Sequence, residues 1–99
     1  MKPFELYIAY VAWGGIGKRR PVLIRSHSGG KVLAYPITSQ PRSKFFYIEN
    51  WASSGLRKPS YVDLGKLISI CQSKISTKPI GHLTNTDRAR LMEALAARA

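Results

Sequence analysis

The extended apolar runs in this 99-residue chain are short and most are closed off by glycine or proline, and that punctuation limits what the chain can become. Glu5 to Trp13 is aromatic and β-branched, the composition of a strand buried on both faces. Gly14-Gly15-Ile16-Gly17 breaks it, and three glycines predict a mobile loop rather than a tight two-residue hairpin. Pro21-Val22-Leu23-Ile24 is a second strand, ended by Ser26-His27-Ser28-Gly29-Gly30, and Lys31 to Tyr35 is a third. The Gly-Gly pair between them predicts a hairpin. Beyond Thr38-Ser39-Gln40-Pro41, Lys44 to Ile48 reads as a fourth strand, and Asn50 to Gly55 as one helical turn capped by Asn50 and stopped by Gly55. Tyr61 to Leu64 and Lys66 to Ile70 are further short strands around Gly65.

Only the C-terminal segment has a helical period. Thr84 can cap its N-terminus with Asp87 at the third position, and Leu91, Met92 and Leu95 fall on one face. The expected fold is therefore a β-rich α+β domain: a small barrel, or a sheet carrying a terminal helix. The length fits one domain spanning 1–99.

Sixteen Lys and Arg residues against five Asp and Glu give a net charge of +11, a field that favours polyanions. The cations are spread from Lys2 to Arg98 rather than gathered in a tail, so the folded body carries them. A basic membrane-binding helix is not evident, because the terminal helix holds both signs. Nucleic acid or an acidic protein is the expected partner, with no membrane. No apolar run reaches the ~20 residues that span a bilayer, and the start lacks the pattern of a signal peptide. The single cysteine, Cys71, fits a reducing, cytoplasmic setting.

Conventional catalytic parts are missing. Gly15-Ile16-Gly17-Lys18-Arg19-Arg20 lacks the third glycine of a dinucleotide fingerprint and the Ser/Thr of a phosphate-binding P-loop. His27, His82 and Cys71 have no ligand-spaced neighbours, which predicts no metal site and two surface-loop histidines. The five carboxylates show no paired spacing, and Asp87 and Glu93 are explained by capping and solvation. What remains is basic and aromatic. Lys18-Arg19-Arg20 crowds cations at the mouth of the strand opened by Pro21, where guanidinium forks suit phosphate. Most of the aromatic residues are expected in the core, with some available to stack on unpaired bases.

The ordered set Gly-Lys-Arg-Arg-Pro-Val-Leu-Ile (17–24), Pro-Ile-Thr-Ser-Gln (36–40) and Ser-Tyr-Val-Asp-Leu (60–64) resembles the MazF/PemK family of toxin ribonucleases. The resemblance runs from Phe4 to the C-terminal helix. It implies a small SH3-like barrel with a short helical turn and a C-terminal helix, usually homodimeric. It implies an endoribonuclease (mRNA interferase) that cuts single-stranded RNA with no cofactor or metal, and an acidic antitoxin as partner. By position, Arg20 matches the family's catalytic arginine and Thr38 the threonine facing it. Lys18, Arg19, Ser39, Gln40 and Asp63 fall where substrate contacts are expected, as does Tyr61, which stands where PemK-like members often carry arginine. The acidic residue that many relatives place in the glycine loop is absent here. The antitoxin is expected to lie across the glycine loop beside Lys18, Arg19 and Arg20, using Trp13 and Trp51 as anchors. A non-catalytic RNA- or DNA-binding barrel using the same basic face is the alternative.

Overall fold

The computed structural model describes residues 1–12 and 17–98; the expectations placed on Trp13, Gly14, Gly15 and Ile16 lie outside the described residues. The strands are β1 (Glu5–Val11), β2 (Lys18–Ser28), β3 (Lys31–Thr38), β4 (Phe46–Tyr47), β5 (Tyr61–Val62), β6 (Ile68–Cys71) and β7 (Gly81–His82), followed by α1 (Asn85–Arg98). They pair antiparallel in the order β4-β5-β3-β2-β1-β7, with β6 beside the first half of β3. An isolated bridge from Ala9 to Ile75 joins β1 to the chain that follows β6, so the sheet curls into a half-barrel.

The curl covers β1 on both sides over most of its length, but Tyr10, on the face of Leu6 and Ile8, is 51% exposed, so the strand is not buried on both faces to its end as its composition predicts. Leu6 belongs to a core with Leu23, Tyr35, Ile37, Phe46, Val62 and Leu83, closed by Leu91 of α1. Tyr7, Ala9 and Val11 belong to a second core with Val22, Ile24, Val32, Ala34, Ile70 and Ile75. Alternation of side chains along a strand is what divides them.

Strand boundaries shift from the sequence expectation for identifiable reasons. The hairpin loop is just Gly29-Gly30, both at positive φ (55° and 81°), the geometry a two-residue turn needs between twisted strands. Ser26, His27 and Ser28 therefore continue β2 past a bulge after Ile24 instead of ending it. β4 keeps only Phe46 and Tyr47, because β5 offers it only Val62 and Tyr61 as partners. β7 was not expected; Gly81 and His82 add to the free edge of β1. Both histidines are exposed, but on strands rather than loops.

The expected helical turn is a turn closed at Gly55 (φ 95°), with Gly55 N–H bonded to the Ala52 carbonyl and Leu56 N–H to that of Trp51. Asn50 does not cap it. Its side-chain amide donates to Thr84 Oγ1, 3.3 Å away, so it ties the turn to α1. Thr84 does cap α1, accepting the Asp87 N–H at 3.3 Å. Asp87 is not solvated; it is fully buried, accepting the Asn50 N–H at 2.8 Å and an Arg90 N–H at 2.9 Å. Leu91 is buried and Leu95 packs beside it, but Met92 points outward and is 46% exposed. No helix among the described residues is long and apolar enough to cross a membrane.

Candidate active site

A gap opens in the sheet where two prolines come together. The β2–β3 ladder runs from Ser28↔Lys31 to Val22↔Pro36 and stops there. Pro21, the next β2 residue, has no N–H to extend it, and the Pro36 carbonyl is turned away from β2, accepting the Asp63 N–H at 3.2 Å. Past this point β2 stays with β1 as far as Val11↔Lys18, while β3 stays with β5 through Ile37↔Val62 and Thr38↔Tyr61. The two strand pairs diverge, with Arg20 on one side of the opening and Thr38 on the other.

Two depressions flank it, and Lys18, Arg20 and Thr38 line both. The larger, about 500 Å³, has an apolar floor of Ile8, Pro21, Ile37 and Ile80, with Arg19, Ser39, Arg57 and Lys58 around it. The smaller, about 470 Å³, adds Gln40, Arg42, Phe45 and Asp63. Of the residues singled out from sequence, seven thus meet at one opening. The eighth, Tyr61, lines neither depression. It lies beside Thr38 in the sheet, its ring 5.2 Å from that of Tyr47.

Electrostatics in the opening favour an anion. Arg20 is half-buried, and that desolvation lowers the pKa of its guanidinium from its ordinary value. A cation held in a partly dry site pulls harder on a phosphate than one in open water. Lys18, Arg42, Arg57 and Lys58 surround it. Thr38 Oγ1 accepts the Gln40 N–H at 3.2 Å, which turns the chain after β3 and leaves the hydroxyl proton to donate into the opening. Asp63 Oδ1 accepts the Gly65 N–H at 3.1 Å, which fixes the carboxylate at the end of β5. Among the described residues, no three His, Cys, Asp or Glu side chains gather as a metal-ligand cluster.

Arg42, Arg57 and Lys58 line the site but were not singled out from sequence. The dipeptide Arg57-Lys58 ahead of Pro59 carried the same signal as Lys18-Arg19-Arg20 ahead of Pro21, a cation cluster leading into a strand. Trp51 is no free anchor: it is half-buried and packs on the first core.

Residues 2–98 match the model of a family described as PemK-like, MazF-like toxin of type II toxin-antitoxin system. No curated protein sequence matches the chain. Among solved structures, the chain is similar to the Mycobacterium tuberculosis toxin MazF-mt6, with 26% identity, a TM-score of 0.77, and coverage of 94% of this chain and 93% of that one. It is also similar to an endoribonuclease in complex with its cognate antitoxin from a mycobacterial species, with a TM-score of 0.75 over 98% of this chain and 90% of that one. Identity there is 18%, so this second likeness is one of fold.

Proposed function

Because this chain belongs to the PemK-like, MazF-like toxin family of type II toxin-antitoxin systems, we propose that it is a cytoplasmic endoribonuclease toxin that cuts single-stranded RNA without a metal ion. The observation that carries the reading is the opening between β2 and β3, where Arg20, Lys18 and Thr38 converge on a depression that also holds Asp63. RNA brings its own nucleophile. The 2′-oxygen attacks the adjacent phosphorus, the bond from phosphorus to the 5′ oxygen breaks, and a 2′,3′-cyclic phosphate is left. The protein has to hold the phosphate in line, stabilise the added charge and manage two protons.

Arg20 takes the phosphate oxygens on its guanidinium fork, and the Thr38 hydroxyl donates to one of them. Asp63 is the one carboxylate among the described residues lining this depression, and it accepts the 2′-OH proton. Arg20 or Lys18 hydrogen-bonds to the departing oxygen, which takes a proton from water and leaves as a 5′-OH. Arg19, Ser39 and Gln40 hold the flanking nucleotides. The test is incubation of the purified protein with a long single-stranded RNA in EDTA, followed by analysis of the ends. Cyclic or 3′-phosphates with 5′-OH ends are expected. Cleavage that vanishes in EDTA and returns with Mg²⁺ overturns the mechanism, and RNA binding with no cleavage leaves a non-catalytic RNA-binding barrel.

The same reading makes the protein a homodimer with an acidic antitoxin. A surface at +11 draws in an acidic chain through fast, steered association. Such a chain is expected across Lys18, Arg19 and Arg20, competing with RNA and weakening as salt rises. An antitoxin that binds with salt-independent affinity and leaves cleavage untouched refutes that placement.

A further inference from the structure

The pairing of β3, β4 and β5 sets three side chains in a row that the catalytic reading leaves unused beyond Thr38. Tyr61 is directly opposite Thr38, and Tyr47 is directly opposite Tyr61. Residues directly opposite in an antiparallel pair share a face, in steps of about 5 Å. The neighbouring row, Ile37, Val62 and Phe46, is buried in the first core, so the row Thr38–Tyr61–Tyr47 faces the other way. Tyr47 is 37% exposed and Tyr61 half-buried, with ring centroids 5.2 Å apart and planes tilted by 38°. Phe45, in the turn just before β4 with its N–H bonded to the Arg42 carbonyl, lines the phosphate depression beside Arg20, Lys18 and Arg42.

We propose that Tyr61 and Tyr47 form a stacking platform for the base of a nucleotide adjoining the phosphate held at Arg20 and Thr38. The inference rests on the RNA reading given above. The row begins at the phosphate site and leads away from it in steps that suit the reach from a backbone phosphate to its base. A single strand is recognised by this combination: cations tracking the backbone and exposed aromatic rings beside them. Core packing does not account for Tyr47, whose ring lies at the sheet edge. Stacking tolerates any base and is stronger for purines, so a purine preference is expected at this one position.

The test uses single-stranded RNA bearing 2′-O-methyl riboses, which cannot be cut, with 2-aminopurine placed in turn at each position. Binding is measured by anisotropy at several salt concentrations for wild type, Tyr47→Ala, Tyr61→Ala, Tyr61→Phe and Arg42→Ala, with circular dichroism to verify folding. Each alanine variant is expected to bind roughly 5- to 150-fold more weakly with the salt slope of wild type, whereas Tyr61→Phe keeps both affinity and quenching. Arg42→Ala is expected to reduce the salt slope instead. Alanine variants that bind as wild type overturn the platform, as does Tyr61→Phe losing as much as Tyr61→Ala. A shift in oligomeric state with RNA affinity unchanged also overturns it, since the pair would then face a second copy. Cleavage of unmodified RNA by wild type is read separately. RNA that is bound with these aromatic effects but never cut removes the enzymatic reading alone, and RNA cut equally by all tyrosine variants removes the platform alone.

Discussion

Arg20 gives the sharpest test of the opening between β2 and β3. Its backbone pairs with Ala9, so the strand does not depend on the side chain, and Arg20→Ala should fold. What is removed is the half-buried cation that both depressions share. Deleting one preorganised donor aimed at developing charge typically costs about 3–4 kcal/mol, or ~10²–10³-fold in rate. The partial desolvation that lowers the Arg20 pKa sets this site at the stronger end for a surface cation. Because the phosphate gains charge in the transition state, the loss should fall on kcat more than on KM. Arg20→Lys should recover only part of it, since an ammonium keeps the charge but not the fork. The assay is initial-rate cleavage of an oligonucleotide containing a mapped site, with circular dichroism of each variant. Arg25→Ala is the control: Arg25 is on the same strand, at the bulge, and lines neither depression. A folded Arg20→Ala protein with wild-type kcat, or an equal loss in Arg25→Ala, refutes the reasoning.

Thr38→Ala should slow cleavage by roughly 10- to 150-fold, the worth of one hydrogen bond to a charged group; Thr38→Ser should restore most of the rate, and a variant at wild-type rate would remove Thr38 from the site. Asp87→Ala should lower Tm by about 10–20 °C, because the buried carboxylate holds the Asn50 N–H and Arg90 together and such bonds contribute about 2–3 kcal/mol; thermal melts would expose a cost near zero. Gly81→Ala should destabilise by about 1–3 kcal/mol, since a Cβ there would strike the Ser54 carbonyl where the Asn50–Gly55 turn crosses β7; an unchanged urea midpoint would count against the close crossing. Burial, and secondarily the Glu5 carboxylate, raises the Tyr7 phenol above its ordinary 10.0. The folded state thus holds this proton more tightly, and the stability it contributes is complete below pH 10 and lost as pH rises through the folded pKa. Urea midpoints for wild type should therefore fall more steeply above pH 10 than those of Tyr7→Phe, and parallel curves would refute it.

The elements were legible in sequence wherever the signal is local. The two-sided apolar run of β1, the Gly29-Gly30 hairpin, the stop at Gly55 and the Thr84 cap all follow from backbone preferences that a few neighbouring residues settle. The basic cluster at Lys18-Arg19-Arg20 was equally plain, and its family resemblance placed Arg20 and Thr38 together. Other features depended on residues distant in the chain. The lengths of β4 and β7 depend on how much partner strand β5 and β1 offer them. Asn50 caps nothing locally because Thr84 waits across the fold, and Asp87 is buried because Arg90 and the Asn50 backbone partner it. Met92 falls within the apolar period yet faces outward, since periodicity marks a face but not what covers it. Above all, sequence shows Pro21 and Pro36 only as two punctuation marks. In the fold they come together at the end of one ladder, where Pro21 cannot donate to β3 and the Pro36 carbonyl turns to the Asp63 N–H instead, and the opening lined by Arg20 and Thr38 begins there.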